Sequence, residues 1–199
     1  MKLKILITGF DPFNNETINP AFEAIKKLNS SYDDIEITKL EIPTSFSRSF
    51  ETIKKEIAKG YDAVIMVGQA GGRKEISLEK VAINYIDAKI CDNDQYLISH
   101  QVINPNGREA YFTTLPILHL QHLLEKNAIP VKISYTAGTF VCNYLMYKVL
   151  EYLSSSKIKA GFIHVPYCKE QVQNKDLPAL DLNIITQSLE IIIRGIFEC

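Results

Sequence analysis

The feature that most constrains this chain is a repeated change of hydrophobic period. Short apolar runs of strand length, KILITG, DAVIMVG and KAGFIHVP, alternate with longer segments whose apolar residues recur every three or four positions. A run that is apolar throughout suits a parallel strand covered on both faces. Phe46, Phe50, Ile53 and Ile57, closed by Gly60, suit instead an amphipathic helix. PAFEAIKKLN, with Pro20 in an acceptable first-turn place, LPILHLQHLLEKN and TFVCNYLMYKVLEYLSSS also read as helices. So does the C-terminal segment carrying Leu182, Ile185, Leu189, Ile192, Ile193 and Ile196, while IEITKLEI and VKISYT read as strands. This alternation predicts an α/β fold: a single three-layer α/β/α domain over 1–199 with a largely parallel sheet. An irregular excursion is expected near residues 76–112, where SLEKVAINYIDAKI reads as a strand or extended hairpin arm and DNDQ and NPNG mark turns.

Length and charge limit the function classes. A chain of 199 residues, 46% hydrophobic, is long enough for one substantial core and short for two. Its formal net charge of −1 gives no electrostatic attraction to nucleic acid or to an acidic membrane surface. The opening MKLKILITGF is too short an apolar run to span a bilayer and lacks a cleavage pattern, so a cytoplasmic location is expected. Cys91, Cys142, Cys168 and Cys199 are then expected as reduced thiols, with Cys199, at the chain end, open to oxidation between chains in vitro. No C-x-x-C pair exists, and His119 and His122 on a predicted helix offer at most an adventitious ion site, so neither metal nor cofactor is expected.

In open α/β sheets, functional groups gather where loops leave the carboxyl ends of strands. ITGFDPF, VGQAGGR, the Thr136–Cys142 turn and FIHVP all follow or end predicted strands and are expected at one edge. Neither glycine-containing segment is a nucleotide fingerprint: ITGFDPF lacks G-x-G-x-x-G, and VGQAGGR lacks the Lys-Ser/Thr of a phosphate loop. Within TAGTFVCNYL, a cap at Thr139 would put Cys142 third in a helix, where unpaired N–H groups and the helix dipole favour a thiolate. The competing reading is a small buried hydrophobe, the commonest fate of a free cysteine on an apolar helix. A nucleophilic thiol needs a base and an orienting acceptor. Among the four histidines, His164 alone ends a predicted strand, whereas His100 lies among turns and His119 and His122 on an outer helix. For the carboxylate, pattern leaves Glu79, Asp87 and Asp92 open.

GFDPF, NPAFEA, VGQAGGR, LEKVAIN, DAKI, AYFTTLP, TAGTFVCNYL and GFIHVPY together resemble, in order and spacing, the pyroglutamyl-peptidase I family of cysteine peptidases, over about 5–167. The resemblance implies a catalytic set carried onto Glu79, Cys142 and His164, and hydrolytic release of an N-terminal pyroglutamyl residue from small peptide substrates. It also implies a substrate pocket of aromatic walls, Phe10, Phe13 and Phe140, with Gln69 facing the lactam amide and Thr44, Ile90 and Val141 completing the lining. A homo-oligomer, often a tetramer, is implied as well. The chain departs from the family pattern at Lys80 and Lys89, where arginine is common, and at Cys91, Asn14, Asn15, Arg108, Glu109 and Tyr135. Loss of the bidentate guanidinium at Lys89 is expected to bear on turnover. Two other classes stand beside this reading: a non-catalytic binder of pyroglutamyl ends, and a cysteine amidase of different substrate choice.

Overall fold

The computed structural model describes residues 2–173 and 176–198. Cys199 and its expected oxidation lie outside them. In chain order the elements are β1 (Leu3–Phe10), α1 (Pro20–Lys27), β2 (Ser31–Tyr32), β3 (Ile35–Ile42), α2 (Ser49–Ile57), β4 (Ala63–Gln69), β5 (Ile76–Glu79), β6 (Val81–Ile83) and β7 (Ala110–Phe112). They continue with α3 (Ile117–Lys126), β8 (Val131–Ser134), α4 (Val141–Tyr152), β9 (Lys159–Val165), β10 (Tyr167–Cys168), β11 (Ala179–Leu180) and α5 (Leu182–Gly195). The main sheet has seven strands in the order β2-β3-β1-β4-β9-β5-β8. Its central block, β3-β1-β4-β9, is parallel throughout, as the uninterrupted apolar runs require.

The two faces of this sheet carry separate cores, which gives three layers. On one side Ile5, Ile7, Ile65, Val67 and Ile163 pack with Ile25, Leu120, Leu189 and Ile193 of α1, α3 and α5. On the other Leu6, Val64, Met66 and Phe162 pack with Phe50, Ile53, Val141, Leu145 and Val149 of α2 and α4. Alternate residues of one strand point to opposite faces, so β1 and β4 serve both cores at once. The α1 start is fixed by Asn19, whose side-chain oxygen accepts from the Ala21 N–H at 3.1 Å while its amide donates to the Asp11 carbonyl at 3.2 Å. This ties the GFDPF turn to the helix.

Two sequence expectations are corrected here. Ile76–Glu79 is not part of the excursion: β5 enters the main sheet, antiparallel to β9 and parallel to β8, and all four residues are buried. Polar Ser77 and Glu79 on its site-facing side break the apolar run that marks an inner strand, so its strand character is legible but its place in the main sheet is not. The irregular stretch therefore begins after Glu79, with the β6–β7 ladder and the loop between them. In addition, β8 runs opposite to β9, so the Thr136–Cys142 turn does not leave the edge where β1, β4 and β9 end. It returns over the sheet face and carries the start of α4 with it.

Candidate active site

The α4 start differs from the sequence expectation in a way that matters for its chemistry. Phe140, not Thr139, is the N-cap, so Cys142 is the second helical residue. Thr139 donates its hydroxyl to the Asp87 carbonyl at 2.9 Å instead of capping the helix. With no side-chain cap, the first backbone N–H groups of α4 are left without the usual acceptor. Asn143, the residue after the cysteine, is buried and accepts from the Ile83 N–H at 2.9 Å while donating to the carbonyls of Ile83 and Tyr85. It locks the helix start onto β6, a role that the sequence reading did not assign.

The opposite wall of the site comes from β4, β9 and β5. Gly68 and His164 are direct ladder partners on adjacent parallel strands. The Sγ of Cys142 lies 3.2 Å from where a Cβ on Gly68 would stand, and Phe162 Cζ lies 2.8 Å from that point. Neighbouring strands are about 4.8 Å apart, so the sulfur sits within side-chain reach of the imidazole. Gly68 is required here because any side chain would occupy the room of the thiol. We expect Gly68→Ala to cut kcat/KM by about tenfold or more while costing about 1–3 kcal/mol of stability from the overpacking. Parallel kinetics and denaturant titration check both, and unchanged kcat/KM would remove the glycine from the site.

His164, 3% exposed, holds its Nδ1 2.7 Å from Glu79 Oε1, and Glu79 is fully buried. Arg73 reaches the same oxygen at 2.6 Å and donates a second N–H to the Thr136 carbonyl at 3.2 Å. Burial works against the Glu79 carboxylate. The hydrogen bond and charge of His164, with the Ser134 hydroxyl and Arg73 adding, outweigh it and hold the carboxyl below its ordinary value. An ionised carboxylate only accepts, so Nδ1 carries a proton and donates it, leaving Nε2 as an acceptor. For His164 burial dominates, against the opposing help of Glu79, and lowers its pKa.

Cys142 retains some exposure but is closely surrounded by protein atoms. Burial, then the Glu79 charge, pushes its thiol up to about 12, against a smaller pull from Arg73. The expected resting thiolate is thus corrected. Dense surroundings and a nearby carboxylate outweigh the helix start, so the resting pair is a neutral thiol and a neutral imidazole. Such a pair can pass a proton from sulfur to Nε2 when a reacting carbonyl arrives.

Aromatic rings line the approach. Phe10 packs on Phe162 with centroids 6.3 Å apart, and Phe162 on the His164 ring at 4.7 Å. Phe13 meets Phe140 at 6.2 Å, and Phe46 meets Phe140 edge-on at 5.4 Å. Val141 is fully buried beside them. Thr44 is buried and bound to Asp11, through its N–H to Oδ1 at 2.7 Å and its hydroxyl to the carbonyl at 3.2 Å. It shapes the GFDPF turn. Gln69 closes β4 at 9% exposure, whereas Ile90 lies out on the excursion at 40%. Lys89 turns its ammonium to Asp87 at 2.6 Å, and Lys80 lies over the Phe112 ring.

The remaining carboxylates are accounted for. Asp92 accepts from the N–H groups of Phe46, Asp94 and Tyr96 and organises its own loop. Asp87 pairs with Lys89, leaving Glu79 as the one on His164. His119 lies 3.6 Å from Glu198, away from the site. Among the described residues no group of three or more His, Cys, Asp or Glu side chains could hold a metal.

With this geometry, similarity to known proteins becomes informative. The family model for pyroglutamyl peptidase matches residues 3–198. The chain belongs to the pyroglutamyl peptidase family. It is 47% identical to a pyrrolidone-carboxylate peptidase of Brachyspira hyodysenteriae over 96% of this chain and 98% of the relative. It is 46% identical to one of Bacillus subtilis, over 96% and 91%. Among solved structures, pyroglutamyl peptidase I of Bacillus amyloliquefaciens superposes with a TM-score of 0.95 at 42% identity, covering 98% of this chain and 95% of that one. The pyrrolidone carboxyl peptidase of Fervidobacterium islandicum superposes at 0.95 with 35% identity, covering 99% of each. The likeness thus spans both cores and every segment that contributes to the site. Arg73 and Asn143 both fall inside motifs quoted from the sequence, VGQAGGR and TFVCN, yet nothing in their spacing points to an ion-pair partner or a helix anchor.

Proposed function

We propose that the chain hydrolyses the bond after an N-terminal pyroglutamyl residue of small peptides, with Cys142 as nucleophile, His164 as proton carrier and Glu79 as orienting acceptor. The observation that carries this reading is the Cys142 sulfur above Gly68, the ladder partner of a histidine whose Nδ1 is bound to a buried carboxylate. As Sγ adds to the scissile carbonyl, its proton passes to Nε2, and Glu79 stabilises the imidazolium that forms. The tetrahedral oxyanion is met by the uncapped N–H groups at the start of α4. Collapse breaks the C–N bond, and the amine leaves with the proton from Nε2. A water molecule then attacks the thioester, gives its proton to Nε2, and releases pyroglutamate as the thiol is restored.

The substrate ring is a flat, uncharged lactam, which suits walls built from Phe10, Phe13, Phe140 and Val141 with Gln69 as a polar contact. Thr44 acts at one remove, through Asp11, and Ile90 stands at the rim. The whole of 1–199 works as one catalytic domain, a reading supported by the family match over residues 3–198. No metal or cofactor enters the reaction as written. A cytoplasmic enzyme with neither nucleic-acid nor membrane partner accords with the net charge of −1, and among the described residues no helix is long and apolar enough to cross a membrane. A homo-oligomer, a tetramer by family resemblance, is supported by large side chains left open at Phe112, Leu118 and Tyr135.

The test is a substrate panel. On pyroglutamyl, prolyl and glutamyl anilides, kcat/KM is expected to favour the first by about 10³-fold or more, because a site that pairs with the lactam leaves polar groups unmatched by the others. Preference for a prolyl or glutamyl group would replace the proposal with a cysteine amidase of different specificity. Binding of pyroglutamyl peptides without turnover would replace it with a sensor.

A further inference from the structure

We infer that Arg73 is a positioning residue for catalysis, whose guanidinium fork holds the Glu79 carboxylate on His164 and ties it to the turn that carries Cys142. The inference rests on the reading above that Glu79, His164 and Cys142 form the catalytic set. Arg73 ends the VGQAGGR segment, in the turn between β4 and β5. In that turn the Ala70 N–H donates to the Val165 carbonyl at 2.9 Å, and the Arg73 N–H to the Ala70 carbonyl at 3.3 Å. Gly72 has a φ of +83°, and a Cβ on Gly71 would lie 2.4 Å from the Tyr167 hydroxyl. Both glycines are therefore needed for the chain to reverse there. The reversal brings the Arg73 side chain, 22% exposed, to the fully buried carboxylate at the end of β5.

The guanidinium meets two elements at once. One N–H donates to Glu79 Oε1 at 2.6 Å, the oxygen that also holds His164 Nδ1 at 2.7 Å. A second donates to the Thr136 carbonyl at 3.2 Å, which accepts from the Ser134 hydroxyl at 3.1 Å as well. The Thr136 hydroxyl in turn accepts from the Gly138 N–H at 3.1 Å, just ahead of Phe140, the N-cap of α4. A planar fork sets the spacing of its two acceptors. The carboxylate of β5 and the backbone that leads into Cys142 are thus held at one separation.

The charge of the fork acts on the same pair. The charged groups that bear on His164 are Glu79 of β5 and Arg73, and the same two bear on Cys142 at the start of α4. Glu79 raises both pKa values and Arg73 lowers both. The guanidinium therefore favours a neutral imidazole and loss of the thiol proton, while it helps to keep Glu79 ionised. Loss of the cation should move His164 in the direction opposite to loss of the carboxylate.

Two variants separate the fork from its charge. Arg73→Gln is expected to lower kcat on a pyroglutamyl anilide by about 10- to 100-fold, with KM changed less than about threefold. The acid limb of its kcat/KM profile, which reports His164 in the free enzyme, should move to higher pH by about half a pH unit or more. Its position does not depend on how much of the variant is folded. Arg73→Lys keeps the cation without the fork, so kcat should fall by about tenfold while the acid limb stays within about 0.2 of the wild-type pH. The inference is overturned if the limb of Arg73→Gln stays in place or moves to lower pH, if Arg73→Lys shifts it as far, or if the loss falls on KM rather than kcat. Wild-type kcat in Arg73→Lys would overturn it alone, whether or not Arg73→Gln yields folded protein. Each of these failures leaves the parent reading standing as long as Cys142→Ala is inactive and the wild type prefers pyroglutamyl anilide. Activity retained by Cys142→Ala would sink the parent reading instead, whatever the Arg73 variants do.

Discussion

Cys142→Ala is expected to lower kcat/KM on a pyroglutamyl anilide by about 10⁴-fold or more, the scale seen when a covalent nucleophile is removed. That corresponds to about 5 kcal/mol of lost transition-state stabilisation. The residue that remains after substitution keeps the pocket and the uncapped helix start, so KM should move little and some rate over water should persist. Stability should change little, because one sulfur beside Gly68 is lost and no buried partner is stranded. The same thiol gives a second observable. With the sulfur pushed up to about 12 and His164 lowered, the free enzyme holds a neutral pair. Alkylation of Cys142 by iodoacetamide should therefore accelerate as the pH rises, with no plateau on the acid side. A rate that stayed flat down to about pH 5 would mean a resting thiolate–imidazolium pair, as in low-pKa catalytic cysteines, and would overturn this view of the ground state. Retention of full activity by Cys142→Ala would end the mechanism altogether.

Glu79→Gln should be the second most damaging change, lowering kcat by about 10³- to 10⁴-fold with the fold intact. Glu79 Oε1 receives both the imidazole Nδ1–H and the Arg73 guanidinium. A neutral amide can accept from only one end, and if its NH2 faces Nδ1 the imidazole must carry its proton on Nε2. That tautomer has no lone pair for the thiol proton. Glu79 also raises the His164 pKa against the dominant effect of burial. Its removal should move the acid limb of the kcat/KM profile to lower pH, a shift that a merely unfolded fraction would not give. The effect on stability has a defined sign. The folded carboxyl titrates below its ordinary 4.5, so its contribution is present above that pH and is lost as pH falls through the folded value. Wild type should therefore lose stability on acidification more steeply than Glu79→Gln, as read from denaturant midpoints at pH 7 and pH 3. An unshifted kcat/KM profile would show that Glu79 does not act through His164.

The helices and inner strands were legible because their burial is periodic. The runs through Ile5, Ile65 and Ile163 could only be covered strands, and Ile185, Leu189, Ile192 and Ile193 could only be one face of a helix. Where polar residues serve the site from within an element, the same logic fails. Ser77 and Glu79 interrupt the apolar run of β5, so a segment legible as a strand or hairpin arm reads as part of the excursion rather than of the main sheet, although all four of its residues are buried. Thr139 carried the composition of a cap, but a carbonyl from the excursion claimed its hydroxyl. The choice among Glu79, Asp87 and Asp92 had no local answer, since Glu79 is defined by His164 and Asp92 by the Phe46 N–H, both far away in sequence, while Asp87 merely pairs with nearby Lys89.

What the amino-acid order determined by itself is the layer architecture and, through eight motifs in series, the family. Both follow from short-range patterns of burial and spacing that survive without knowledge of long-range contacts. What only the tertiary structure decided is the state of the site: the reversed approach of α4, the neutral rather than ionised sulfur, and the Arg73–Glu79 bond. Charge and tautomer depend on distances of about 3 Å between groups many residues apart, and chain order fixes those distances only after both cores have closed.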